Sequence, residues 1–150
     1  MNGHRDADRL ARSVILGTLL VAAGTWWSPH KQIPIHWNIA GQVDGYGSKF
    51  GILLIPAIAL LGYVLIGLIP TVRPDQFDEP TRSALSWLRL AYVSVLGGVS
   101  LVIGSDASGS ILNMNYVLLP LLALLTIAVV NLIIRRSQIK ETPPGGGIRI

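Results

Sequence analysis

The sequence predicts an all-α, polytopic membrane protein of four transmembrane helices, with a short extracytoplasmic cap loop between the first and second. Three observations predict it. The 150-residue chain is 51% apolar and only 13% charged, where a soluble domain carries about 25% charged residues. The charges are also segregated, since stretches 13–30, 50–72, 90–105 and 107–134 hold no Asp, Glu, Lys or Arg. A helix of about 20 mostly apolar residues crosses a hydrocarbon core of roughly 30 Å, and four segments built around these stretches meet that need. The basic residues, finally, gather on alternate connections. Four spans put Arg5, Arg9, Arg12, Arg73, Arg82, Arg89, Arg135, Arg136, Lys140 and Arg149 on one side, against Lys31 and Lys49 on the other. That asymmetry is the positive-inside pattern, with both termini cytoplasmic.

Residues 1–9 form a short polar tail. The first span, 10–27, is the least apolar of the four. Ser13, Gly17, Thr18, Ala22, Ala23 and Gly24 run through it, and small residues let helices approach closely in lipid. Its basic flanks resemble those of a signal peptide. Gly24-Thr25-Trp26-Trp27, however, lacks the small residues that cleavage needs, so the segment reads as a retained anchor.

The second span, 50–69, carries thirteen Leu, Ile, Val or Phe residues, each contributing roughly −0.3 to −0.6 kcal/mol to insertion. Pro56 sits early in it, and Pro70 ends it. Asp78-Glu79-Pro80 then reads as a helix start, with carboxylate near the positive helix end and proline in the first turn. The third span, 84–104, contains Arg89, placed to snorkel toward headgroups beside Trp87. Ser94 with Gly98, and Ser100 with Gly104, set small residues at four-residue spacing, a packing face. The fourth span is 114–134. The tail 135–150, which ends in a Pro-Gly run, reads as disordered.

The polar island 28–49 holds most of the side chains able to recognise anything. Pro34 biases Ile33 toward extended backbone, and Ile33, Ile35 and Trp37 alternate as an apolar face. Asn38 to Gly41 has the residues of a turn, Asp44-Gly45 is a tight-turn pair, and Ser48 can cap the second span. The result is a compact, hairpin-like cap anchored at the headgroups by Trp37 and Tyr46.

Residues 33–49, I-P-I-H-W-N-I-A-G-Q-V-D-G-Y-G-S-K, closely resemble the signature of a bacterial membrane domain of unassigned function. That domain forms the N-terminal part of SdpI-type immunity proteins. Ile33, Pro34, His36, Trp37, Asn38, Gly41, Asp44, Gly45, Ser48 and Lys49 all fall in register, and the resemblance covers residues 10–75. A second helix pair, 76–134, follows it. The best known relatives confer immunity to a secreted toxic peptide and hold a transcriptional repressor at the membrane. They carry further spans, where this chain has only two more. The resemblance implies a protein of the bacterial plasma membrane whose outward loop recognises an extracellular toxic peptide or envelope component. Pro34, His36, Trp37, Asn38, Gly41, Asp44, Gly45 and Tyr46 are the candidate ligand-binding residues.

Other chemistry is less well supported. His36 and Asp44, with His30 or Asn38, could ligate a metal, but their spacing matches no metal pattern. A His–Asp contact pinning the loop is the simpler account, and no metal or cofactor is expected. Ser28, Ser48, His36 and Asp44 supply the atoms of a hydrolase without a nucleophile elbow, so the chain reads as non-enzymatic. Tyr63, Thr126 and Asn131 read as interhelical hydrogen-bond formers. No acidic residue falls inside any span, which argues against a proton-coupled pump. The absence of cysteine excludes disulfides. The net charge of +4 sits at span ends, which suits lipid headgroups rather than nucleic acid. Alternative readings are a scaffold or accessory subunit of a membrane complex, including a homo-oligomer, and a small transporter.

Overall fold

Hydrocarbon offers a backbone N–H or C=O no hydrogen-bond partner, so a spanning segment bonds internally as a helix. The structure, a computed structural model, describes residues 3–72, 74–110 and 112–141. Its four long helices are α1 (Gly3–Trp27), α2 (Gly51–Val72), α3 (Glu79–Ala107) and α4 (Met114–Glu141). All four are long and apolar enough to cross a membrane. Even α2, the shortest at 22 residues, outreaches a core of about 30 Å at about 1.5 Å per residue. A two-stranded antiparallel hairpin, β1 (Gln32–Trp37) and β2 (Val43–Ser48), fills the connection from α1 to α2.

The helices run past the predicted spans. α1 begins at Gly3, so most of the polar start is helical. α2 continues through Pro70 to Val72, because a proline in the last turn removes only one late hydrogen bond. α4 continues through Arg135 and Arg136 to Glu141. Of the tail 135–150, expected to be disordered, residues 135–141 are therefore helical, and 142–150 lie outside the described residues, as does Arg73. The start of α3 follows expectation: Asp78 is its N-cap, accepting the Thr81 N–H at 3.0 Å, with Pro80 in the first turn. That hydrogen bond holds the Asp78 carboxyl below the ordinary aspartate range.

α3 is the centre of the bundle, packing against α1, α2 and α4. Its small residues make this approach close. Gly97 faces Val14 and Thr18 of α1, and Gly104 faces Val21 and Thr25. On the other flank a Cβ at Gly98 would sit 3.0 Å from Val117 Cγ1 of α4. In lipid there is little hydrophobic drive between helices, so backbone proximity and van der Waals contact carry the association. Among the described residues, buried side chains cluster as Ala11, Ile15, Tyr63 and Val93 at one level, and as Ala22, Ile33, Ile52 and Ile103 nearer the hairpin.

Arg89 does not snorkel outward. Its Nη1 lies 3.0 Å from Asp8 Oδ1 of α1, and its guanidinium stacks 3.8 Å from the Tyr63 ring centre on α2. Arg12 Nε donates to the same tyrosine's hydroxyl at 3.1 Å. The early start of α1 explains the difference, for it brings an acid alongside the third helix that a first span beginning at residue 10 would leave out. Thr126 and Asn131 also depart from expectation. The Thr126 hydroxyl donates to its own helix at Leu122 O, and Asn131 accepts from Arg135 one turn on. The interhelical bonds come instead from Tyr63 and from Tyr92, whose hydroxyl donates to Ile58 O at 2.8 Å.

The Asp8–Arg89 pair makes a clear prediction. Asp8→Ala leaves a largely buried guanidinium without its counter-charge and costs about 3 kcal/mol. Combining it with Arg89→Leu recovers much of that loss, as measured by thermal unfolding in detergent. A double variant no more stable than the single one would contradict the pairing.

Candidate functional site: a clamped hairpin

The hairpin is built from a proline, a sharp turn and a bulge. Pro34 is buried opposite Tyr46, and Ile33 opposite Gly47 drives its side chain into the Ile52 and Ile103 cluster. After Pro34 the register shifts twice, so that His36 faces Gly45 and Trp37 faces Val43. Such a bulge re-aims side chains. It breaks the simple alternation expected for residues 33, 35 and 37: Ile35 turns outward while Trp37 packs on the Ile33 cluster.

The reversal lies at Asn38–Gln42 and not at Asp44-Gly45, which sit inside β2. Asn38 organises it. Its N–H donates to Gln42 O at 2.9 Å, its carbonyl accepts the Gly41 N–H at 2.8 Å, and its Oδ1 accepts the Gln42 N–H at 3.0 Å. Gly41 takes φ +75°, a left-handed conformation natural to glycine. With the turn closed there, Asp44-Gly45 is free to pair as strand.

The tip is then fastened to the start of α4. Asn113 Nδ2 donates to Ala40 O at 2.8 Å, and Asn115 Nδ2 donates to Ile39 O at 2.8 Å. The Met114 N–H donates to Gly41 O at 3.1 Å, while Asn113 Oδ1 accepts the Asn115 N–H. Three successive tip carbonyls thus find donors at the start of α4. The base is fastened as well: Lys49 Nζ donates to Ser28 O at 2.6 Å, and Trp26 meets Phe50 edge-on. Ser48 Oγ accepts the Phe50 N–H at 3.3 Å as α2 begins.

The eight candidate residues therefore divide by role. Pro34, Trp37, Asn38, Gly41 and Gly45 build the frame; a Cβ at Gly45 would lie 3.0 Å from His36 Cβ. His36, Asp44 and Tyr46 are exposed. The His36 Nδ1–H donates to Asp44 Oδ1 at 2.5 Å, tying the two strands together on the outer face. The ring and the carboxylate keep their remaining polar atoms for solvent or a ligand. Among the described residues no group of three or more His, Cys, Asp or Glu side chains gathers in a metal-like cluster.

Tyr46 borders a depression of about 780 Å³, lined also by His30, Lys31, Gln32, Asp106 and Gly109. It combines two basic-type side chains, a carboxylate and an aromatic ring, drawn from the α1–β1 link, β1, β2 and the α3–α4 end. Sequence reasoning missed Asn113, Asn115 and Asp106. The signal available was Asn113-Met114-Asn115, two amides flanking the first residue of a span. Nothing in that spacing names the Ile39 and Ala40 carbonyls as their targets.

Removing an amide donor from the clamp should cost about 1 kcal/mol, and valine at residue 41 considerably more, because φ is positive and a Cβ there would meet Asn115 N at 2.9 Å. Asn113→Ala, Asn115→Ala and Gly41→Val should each raise amide hydrogen exchange across residues 38–42 while leaving the helices protected. Unchanged exchange in all three variants would refute the clamp.

The family model described as a domain of unknown function (DUF1648) matches residues 14–60. The match takes in most of α1, the whole hairpin and the first half of α2, and it ends before α3. No curated protein and no solved structure matches the chain.

Proposed function

We propose that this is a non-enzymatic multi-pass protein of the bacterial plasma membrane, with both termini cytoplasmic and the hairpin facing outward. In this reading the hairpin recognises an extracellular peptide or envelope component, and the chain serves as an immunity or sensing protein. The single observation that carries it is the depression beside Tyr46, where His30, Lys31 and Asp106 meet an exposed aromatic ring. A peptide has the matching chemistry: carboxylate for lysine, ammonium or guanidinium for aspartate, and apolar side chains for tyrosine. Fixing the hairpin at tip and base lowers the ordering cost of binding.

Two further features support the reading. The basic residues favour the side opposite the hairpin by ten to two, out of twelve Lys and Arg, which is the bias of cytoplasmic connections. The resemblance of residues 33–49 to SdpI-type proteins supplies the class of ligand.

A scaffold role is the second reading, favoured by the wide apolar flank of α4. That helix packs on α3, and among its described residues only Met114 is buried. Crosslinking that returns a stoichiometric membrane partner would favour it.

Cells expressing the chain should survive co-culture with a producer of a secreted membrane-active peptide. Tyr46→Ala and Asp106→Asn should each remove protection at unchanged membrane levels, and His36→Ala should weaken it. Full protection by all three variants, or no protection by the parent chain, would overturn the immunity reading.

A further inference from the structure

On the flank of the bundle away from α1 and α2, α3 and α4 face each other along a seam. Positions 84, 87, 91, 94 and 98 recur on α3 at alternating steps of three and four, as do 121, 124, 128, 131 and 135 on α4. Such spacing lets two helices close side chain into side chain. They do so at Gly98, which receives Val117 and Leu121. From there toward Arg135 the seam is open. Ala84, Ala91 and Ser94 on α3 and Ala128 on α4 are too small to fill it, and a groove of about 490 Å³ remains.

The groove has a direction. Leu121 and Leu124 line one end with Ser94 across from them, Leu90 and Ala91 the middle, and Ser83, Asn131 and Arg135 the other end. From Leu121 to Arg135 is 14 residues of helix, about 21 Å, against about 15 Å for half of a hydrocarbon core. Arg135 Nε donates to Asn131 Oδ1 at 2.8 Å, which orients the guanidinium. Among the described residues no acceptor bonds its two terminal nitrogens. Asp78 senses the Arg135 charge, but its carboxylate already accepts the Thr81 N–H.

We propose that this groove is a binding site for one membrane glycerophospholipid, an acyl chain lying between α3 and α4 and the phosphate on Arg135. The walls belong to spans, so the occupant must be soluble in hydrocarbon. The polarity runs from aliphatic to cationic over a single-leaflet length, which matches an amphiphile with a phosphate head. Arginine's planar fork suits phosphate oxygens better than a point charge does. The lipid would complete a seam that the protein's own side chains leave open. The assignment holds whichever side of the membrane the termini occupy.

The test is the phospholipid that stays with purified full-length protein through repeated detergent exchange, counted as lipid phosphorus per chain and identified by mass spectrometry. The expected result is one retained phospholipid per chain. Ala128→Phe and Ala91→Phe fill the groove and should abolish retention. Arg135→Gln should weaken it at least about tenfold, the loss of one charge-assisted hydrogen bond. Arg136→Gln is the matched control, because Arg136 stacks on Phe77, 4.6 Å from its ring centre, and does not line the groove; it should retain lipid normally. No retained phospholipid, or an equal loss in the two arginine variants, would overturn the site and leave only general attraction of lipid to a basic helix end. Arg135→Gln and Arg136→Gln replace exposed side chains, so the comparison stands even if a phenylalanine variant fails to fold.

Discussion

The constraint that governs this chain is that no backbone polar group can be left without a partner where water is absent. In the spans, helices meet it internally. The connection between α1 and α2 is too polar for hydrocarbon, and there a hairpin pairs its own strands. At its tip the carbonyls of Ile39, Ala40 and Gly41 bond the amides of Asn115, Asn113 and Met114. These bonds link residues more than seventy positions apart and join the hairpin to the last helix. The matched family domain, residues 14–60, contains the hairpin but none of the donors that hold its tip.

α3 gives the bundle its order. Glycines on opposite flanks let α1 approach on one side and α4 on the other, while Tyr92 bonds α2. The charged group deepest within it, Arg89, is turned inward to Asp8 and Tyr63. A buried ion pair is weak support for stability but costly to break. Its physical consequence here is registry: α1, α2 and α3 each contribute one member, so sliding any helix by a turn separates the set.

Much of this was legible in the sequence, and the reasons are specific. Four spans follow from charge-free stretches, because hydrocarbon punishes each misplaced charge. The α3 N-cap follows from Asp78-Glu79-Pro80, and the turn at Gly41 from Asn38 through Gly41, because each is local chemistry. What failed was non-local. Asp44-Gly45 looks like a turn until Asn38 closes the chain six residues earlier. Arg89 looks like a snorkelling side chain until α1 is seen to begin soon enough to bring Asp8 beside it. The eight hairpin candidates fall in one segment of the sequence, but their division into frame and exposed surface depends on a bulge that no residue type announces. Asp106 and the two clamping asparagines join the site only through the packing of α3 and α4.

The central claim is that the chain crosses the membrane an even number of times, with the hairpin on the side opposite the α2–α3 connector. Because the protein has no cysteine, single thiols can report this cleanly. Ile39 at the hairpin tip is fully exposed, and Gln76 in the connector is exposed as well. With the proposed orientation, a membrane-impermeant maleimide applied to intact cells should label Ile39→Cys at once and Gln76→Cys only after permeabilisation. Equal labelling of both positions in intact cells, or labelling of the connector alone, would contradict the account.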